Sequence, residues 1–170
     1  MRKLFAIPVL LTLLLTPLFA QSKESSANQE IRSFCNKIGK HFASNNMQAA
    51  LEMVPSETIL SFKDGTTMTA VQAKKYLFNT FPGCTIQKGS FSLGSIQIKE
   101  NRAETTIKSS FSFLPATSRE ATPYRVTSEW KGLFTRISGK WIPTRFDQQT
   151  FSITLNGKEV SIMPGIPISP

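Results

Sequence analysis

Between Arg102 and Leu114 the chain alternates. Ala103, Thr105, Ile107, Ser109, Phe111 and Phe113 fall on one parity, and Glu104, Thr106, Lys108, Ser110 and Ser112 on the other. A repeat of two is that of a β-strand with one covered and one wet face. Tyr124, Val126, Ser128, Trp130, Gly132 and Phe134 repeat it against Arg125, Thr127, Glu129 and Lys131. In Phe91 to Lys99 the parity slips, with Phe91 and Leu93 on one side and Ile96 and Ile98 on the other. The slip falls at Gly94-Ser95 and predicts a β-bulge that bends the strand. After a tight turn at Ser138-Gly139, Lys140 to Phe151 predicts a last long strand. There Ile142 and Phe146 share one parity, and Trp141, Arg145 and Asp147 the other. Short connections make this a curved antiparallel meander. Asn156-Gly157 is a two-residue hairpin signal joining Phe151–Leu155 to Lys158–Met163. The proline-rich tail 164–170 suits neither helix nor central strand.

The N-terminal half carries the helical period instead. A capping-box pair, Ser26 and Gln29, precedes Ile31, Phe34, Cys35, Ile38 and Phe42 on one helical face, and Asn45-Asn46 ends that helix. Met47, Ala50, Leu51 and Val54 predict a short second helix stopped by Pro55. Ile59, Leu60 and Phe62 form a brief strand that runs into an Asp64-Gly65 turn and the short return Thr66 to Met68. Thr69 and Gln72, a second capping box, open a helix through Thr80, with Ala70, Ala73, Leu77 and Phe81 on its buried side and Pro82-Gly83 after it. The predicted class is α+β, with N-terminal helices packed on a strongly curved antiparallel sheet.

Composition adds a compartment. Hydrophobic residues make up 40% of the 170, with 13 Phe, enough for one core. Arg2 and Lys3, the apolar run Leu4 to Phe19 broken by Pro8 and Pro17, and Ala20 before Gln21 have the layout of a signal peptide. Residues 1–20 are therefore expected to be cleaved, leaving 21–27 as a flexible lead-in of an exported, periplasmic or secreted protein without a stable membrane anchor. Losing Arg2 and Lys3 lowers the formal charge from +9 to +7. The basic residues are scattered, with Lys74-Lys75 the one adjacent pair in the mature chain, so nucleic acid is not the expected partner. An oxidising compartment permits a Cys35–Cys84 disulfide, worth roughly 4 kcal/mol for a loop of about 50 residues. The alternative is two buried thiols acting as small hydrophobes. One histidine and no close cysteine spacing argue against a metal site, and no cofactor motif is present.

The order of elements resembles the nuclear-transport-factor-2-like (NTF2-like) superfamily, which includes ketosteroid-isomerase and SnoaL-like members. The residues that carry the likeness are Ile59 to Thr67, Thr69 to Phe81, Glu129-Trp130-Lys131-Gly132 and Gly139-Lys140-Trp141-Ile142. The likeness spans residues 28–151, leaving 152–170 as an added hairpin and tail. It implies a cone whose interior is often a ligand pocket, and homodimerisation is frequent among such proteins.

Within that frame Glu57 is the nearest match to the superfamily's catalytic carboxylate, and His41 borders the first helix's apolar face. Against these stand a loop Glu after proline and a packing His. Glu104 and Glu129 lie on wet parities and supply no second buried acid. Phe42, Tyr76, Ser109, Phe111, Ser128 and Trp130 are candidate ligand contacts. Ser109 and Ser128 are small polar residues on apolar parities, marking either room for a ligand or close helix packing. The leading expectation is an exported, non-catalytic domain that binds a small apolar ligand or an envelope protein. The alternatives are an isomerase or cyclase using Glu57 as base, and an interaction module that uses the 152–163 hairpin as an edge over a phenylalanine-filled interior.

Overall fold

The structure is a computed structural model that describes residues 26–80, 85–114 and 122–160. Residues 1–25, with the expected signal peptide, and Pro82-Gly83, Cys84 and the residues from 161 onward lie outside the described residues.

Helix α1 (26–43) is followed by α2 (Met47–Glu52), the strand pair β1 (Ile59–Ser61) and β2 (Thr67–Thr69), and α3 (Ala70–Thr80). The long strands β3 (Thr85–Lys99), β4 (Arg102–Leu114), β5 (Tyr124–Ile137) and β6 (Lys140–Leu155) come next, and β7 (Lys158–Glu159) closes the hairpin. They form one seven-stranded sheet in the order β2-β1-β6-β5-β4-β3, with β7 on β6. The sheet is mixed rather than wholly antiparallel, because β1 runs parallel to β6.

Helix boundaries follow local chemistry. Asn46 caps α2 by accepting from Ala49 N, and Thr69 and Gln72 form the expected reciprocal box at α3, with Thr69 N to Gln72 Oε1 at 2.8 Å and Gln72 N to Thr69 Oγ1 at 3.4 Å. Ser26 is already helical and Ala27 is 8% exposed, so these two residues of the expected lead-in belong to α1.

The inner parities of β4 and β5 are as predicted. Ala103, Thr105, Ile107, Phe113, Tyr124, Val126, Ser128 and Phe134 are buried. Lys108–Glu129 and Lys131–Glu104 ion pairs cross the wet face at 3.2 and 2.7 Å. The predicted bulge is present: Leu93 pairs with Ile107 and Ile96 with Thr105, so Gly94 and Ser95 oppose the single residue Thr106. Parity in β6 is the correction. Gly132 pairs with Phe146 but Phe134 with Pro143, and Glu129 pairs with Thr150 but Trp130 with Gln148. Thr144 and Gln149 are thus extra residues, and each flips the faces that follow it. Trp141 and Phe146, expected on opposite faces, consequently join the same core.

That core has two parts. Ala27, Ile31 and Cys35 of α1 meet Ile96, Ala103, Ile107, Phe134 and Trp141. Further along the sheet, Phe113, Tyr124, Val126 and Ile153 form a second cluster. Gly39 brings α1 so close to β3 that an added Cβ would lie 2.8 Å from Phe91 Cβ. Glu30 Oε1 accepts Trp141 N at 2.9 Å and ties the same helix to β6.

Candidate functional site

Between the two core clusters the concave face of the sheet stands away from the helices and leaves a cavity of about 640 Å³. That lies within the roughly 300–1,000 Å³ of small-molecule sites. The sheet register explains why space is left. Phe91 of β3, Ser109 of β4, Ser128 of β5 and Phe151 of β6 sit side by side in one row across the four strands. The two middle members of the row are small, while the rows on either side carry Ile107 and Trp130, and Phe111 and Val126. The opposite wall comes from Phe34, Cys35, Ile38 and Phe42 of α1 and from Ala73 and Tyr76 of α3.

The six expected contacts Phe42, Tyr76, Ser109, Phe111, Ser128 and Trp130 all line this cavity. Sequence reasoning missed Cys35, Phe62, Phe91, Phe146 and Gln148, which line it too. Phe62 was legible as apolar but lies past the end of β1, and it meets Trp130 edge-on at 5.6 Å. Phe146 and Gln148 needed the bulges in β6, which no glycine marks.

On the inner face of β4 and β5 three polar side chains bond to one another. Trp130 Nε1 donates to Ser128 Oγ at 2.8 Å, and Ser128 Oγ lies 2.7 Å from Ser109 Oγ. Ser128 is only 8% exposed. Charge enters through Lys63 and Asp64, both exposed, at the β1–β2 turn, where Asp64 Oδ1 accepts Thr66 N at 2.8 Å. These exposed residues and Phe151 form the cavity's rim.

Glu57 is elsewhere, and its assignment as a general base is withdrawn. It is exposed in the turn Pro55 to Thr58, closed by Thr58 N to Pro55 O at 3.0 Å. Thr58 turns inward to donate to Pro143 O at 2.9 Å, leaving its neighbour to face water. His41 is half-buried but outside the cavity lining. The expected disulfide is also corrected. Cys35 is a free thiol, 1% exposed, packed among the α1–sheet side chains as a small hydrophobe. Burial pushes this thiol up from 9.0 to about 12, with Arg32 pulling weakly the other way. Among the described residues no cluster of His, Cys, Asp and Glu could hold a metal, and no helix is long and apolar enough to cross a membrane.

No protein-family model matches the sequence, and no curated protein matches it. Solved structures do. A conserved protein from Planctomyces limnophilus is similar with a TM-score of 0.61 and 12% identity, over 77% of this chain and 98% of that one. A protein named as a scytalone dehydratase from Novosphingobium aromaticivorans gives 0.59 and 13%, over 88% of this chain and 98% of that one. An NTF2-like superfamily protein from Salmonella enterica gives 0.58 and 16%, over 74% and 92%. Helices over a large, curved, unclosed sheet, with these neighbours, define the NTF2-like fold. The chain has that fold, and at such identities the likeness speaks of architecture alone.

Proposed function

We propose that this protein is an exported, non-catalytic NTF2-like domain that holds a small, neutral, largely apolar ligand inside its cone. The observation that carries the reading is the cavity itself: about 640 Å³, walled by aromatic and aliphatic side chains, with Lys63 and Asp64 at its rim. Aromatic walls favour ring-shaped apolar guests. A charged guest lodged in the interior would lose its hydration without an ion partner there, at a cost of several kcal/mol. The rival isomerase reading lost its base when Glu57 fell outside the cavity. The hairpin-module reading required an interior plugged by phenylalanines, and the phenylalanines line a space instead of filling it. Export rests on the n-region, apolar run and Ala20 junction of the sequence.

The test is native mass spectrometry of the full chain expressed with export, followed by titration with the neutral dye N-phenyl-1-naphthylamine. The expected result is loss of residues 1–20, a co-purifying small molecule or one saturable dye site, and dye displacement by apolar ring compounds. A processed, folded protein that carries no guest and takes up no dye contradicts the reading.

A further inference from the structure

We propose that the cavity selects guests bearing a hydrogen-bond acceptor, and that Ser109, Ser128 and Trp130 present the donor that meets it. This deepens the ligand-binding reading above and rests on it. The ground is a count of protons. An indole N–H can only donate, and each serine hydroxyl has one proton to give. The group therefore holds three protons. One is used between Trp130 Nε1 and Ser128 Oγ, and one between the two hydroxyls, whichever of them donates. If Ser128 donates to Ser109, the proton left over belongs to Ser109. If Ser109 donates, Ser128 receives two bonds and its own proton is left. Either way one O–H has no acceptor among the described residues, in a pair of residues that both line the cavity.

Such a donor in apolar surroundings costs about 1–3 kcal/mol if nothing accepts from it. A ketone, ester, ether or hydroxyl oxygen on the guest removes that cost. A hydrocarbon of the same shape does not. The surroundings narrow the class further. Phe91 and Phe151 flank the two serines along their row, and Phe62 stands edge-on to Trp130. The charged lining residues among those described are Lys63 and Asp64, both exposed. The guest that fits is an uncharged aromatic or polycyclic molecule carrying an oxygen acceptor on its ring system, held oxygen-first against the serines.

The probes are 2-acetylnaphthalene and 2-ethylnaphthalene, similar in shape and differing in the carbonyl, each competed against N-phenyl-1-naphthylamine on the full chain. A donor-free apolar cavity would rank them as their water-to-cyclohexane partition does. The expected result is a ketone-to-hydrocarbon affinity ratio about tenfold above the partition ratio. In S109A/S128A/W130F that excess disappears while 2-ethylnaphthalene still binds. The infrared carbonyl stretch of the ketone bound to the unmodified protein falls below its position in cyclohexane, a readout that decides the matter even if the triple variant fails to fold. A ratio equal to the partition ratio with an unshifted carbonyl overturns the donor assignment and leaves ligand binding standing. So does an excess that persists in the triple variant. If neither naphthalene nor the dye binds the unmodified protein, the ligand-binding reading itself falls.

Discussion

Cys35 keeps one of its two sequence-level readings, the buried small hydrophobe, and loses the other, the disulfide. It was legible as a member of α1's apolar face, and that is how it behaves: a buried, free thiol in contact with both core and cavity. Its burial has a consequence in solution. The unfolded thiol ionises near 9.0, while the folded one keeps its proton to about 12. Between those values the unfolded state binds fewer protons, so stability falls as pH rises, by up to about 1.4 kcal/mol per pH unit. Below pH 9 the term is constant. Urea unfolding at pH 8 and pH 10.5 checks this: the stability advantage of the unmodified protein over Cys35→Ala should shrink at the higher pH, whereas parallel behaviour would contradict a buried neutral thiol. Ser109 and Ser128 were legible for a different reason, being small and polar on otherwise apolar parities. Glu57 was not. Its assignment came from a place in the order of elements, and that place does not say which way a turn residue faces. The direction is set by Thr58, whose hydroxyl reaches Pro143 across 85 residues of sequence.

At the level of elements, what could be read were regular strands and capped helices. β4 and β5 pair with each other without a register shift, so counting by two suffices. The bulge in β3 announced itself through Gly94, where the chain needs little side-chain room. The bulges at Thr144 and Gln149 carry no such mark beyond Pro143, and two reversals of face within ten residues defeat a parity count. Contact between α1 and β3 is equally invisible in the local pattern, because it depends on two glycines meeting strands or helices distant in sequence. Gly39 faces Phe91 Cβ at 2.8 Å, and Gly89 faces Ala43 Cα at 3.3 Å, each measured from the Cβ it lacks. Gly39→Ala therefore forces α1 outward, although alanine is the better helix former by about 1 kcal/mol. The steric term should win, with a net loss of about 1–3 kcal/mol in denaturant unfolding. A stabilised variant would mean that the helix and strand are not in contact. At α3, Thr69→Ala removes half of the capping box and should cost about 1 kcal/mol by the same measurement, with Thr69→Ser retaining most of it.

The whole molecule is an NTF2-like cone in which two core clusters hold the sheet's curve and a cavity separates them. Fold and class were legible because local propensity, parity and turn chemistry agreed along most of the chain. The volume of the interior was not, since an empty space is defined by side chains from nine elements at once. The C-terminal boundary shifts for the same reason. The added hairpin begins inside β6, where Ile153 is 4% exposed in the second cluster with Phe113, Tyr124 and Val126. Ending the chain at Phe151 should therefore lower the midpoint of thermal unfolding or prevent folding, rather than detach an independent appendage. An unchanged midpoint would place Ile153 outside the cooperative core.

The most direct test of the account is to fill the cavity. Ser109→Leu projects a larger apolar side chain into the row between Phe91 and Ser128 while leaving the Trp130–Ser128 bond in place. Titration of N-phenyl-1-naphthylamine into the unmodified protein and into this variant, each shown to be folded by its thermal transition, compares the interior with the surface. The account predicts a saturable fluorescence increase that is lost, or weakened by tenfold or more, in Ser109→Leu. Equal binding by the two proteins would put the dye on the outside of the cone and contradict a functional interior.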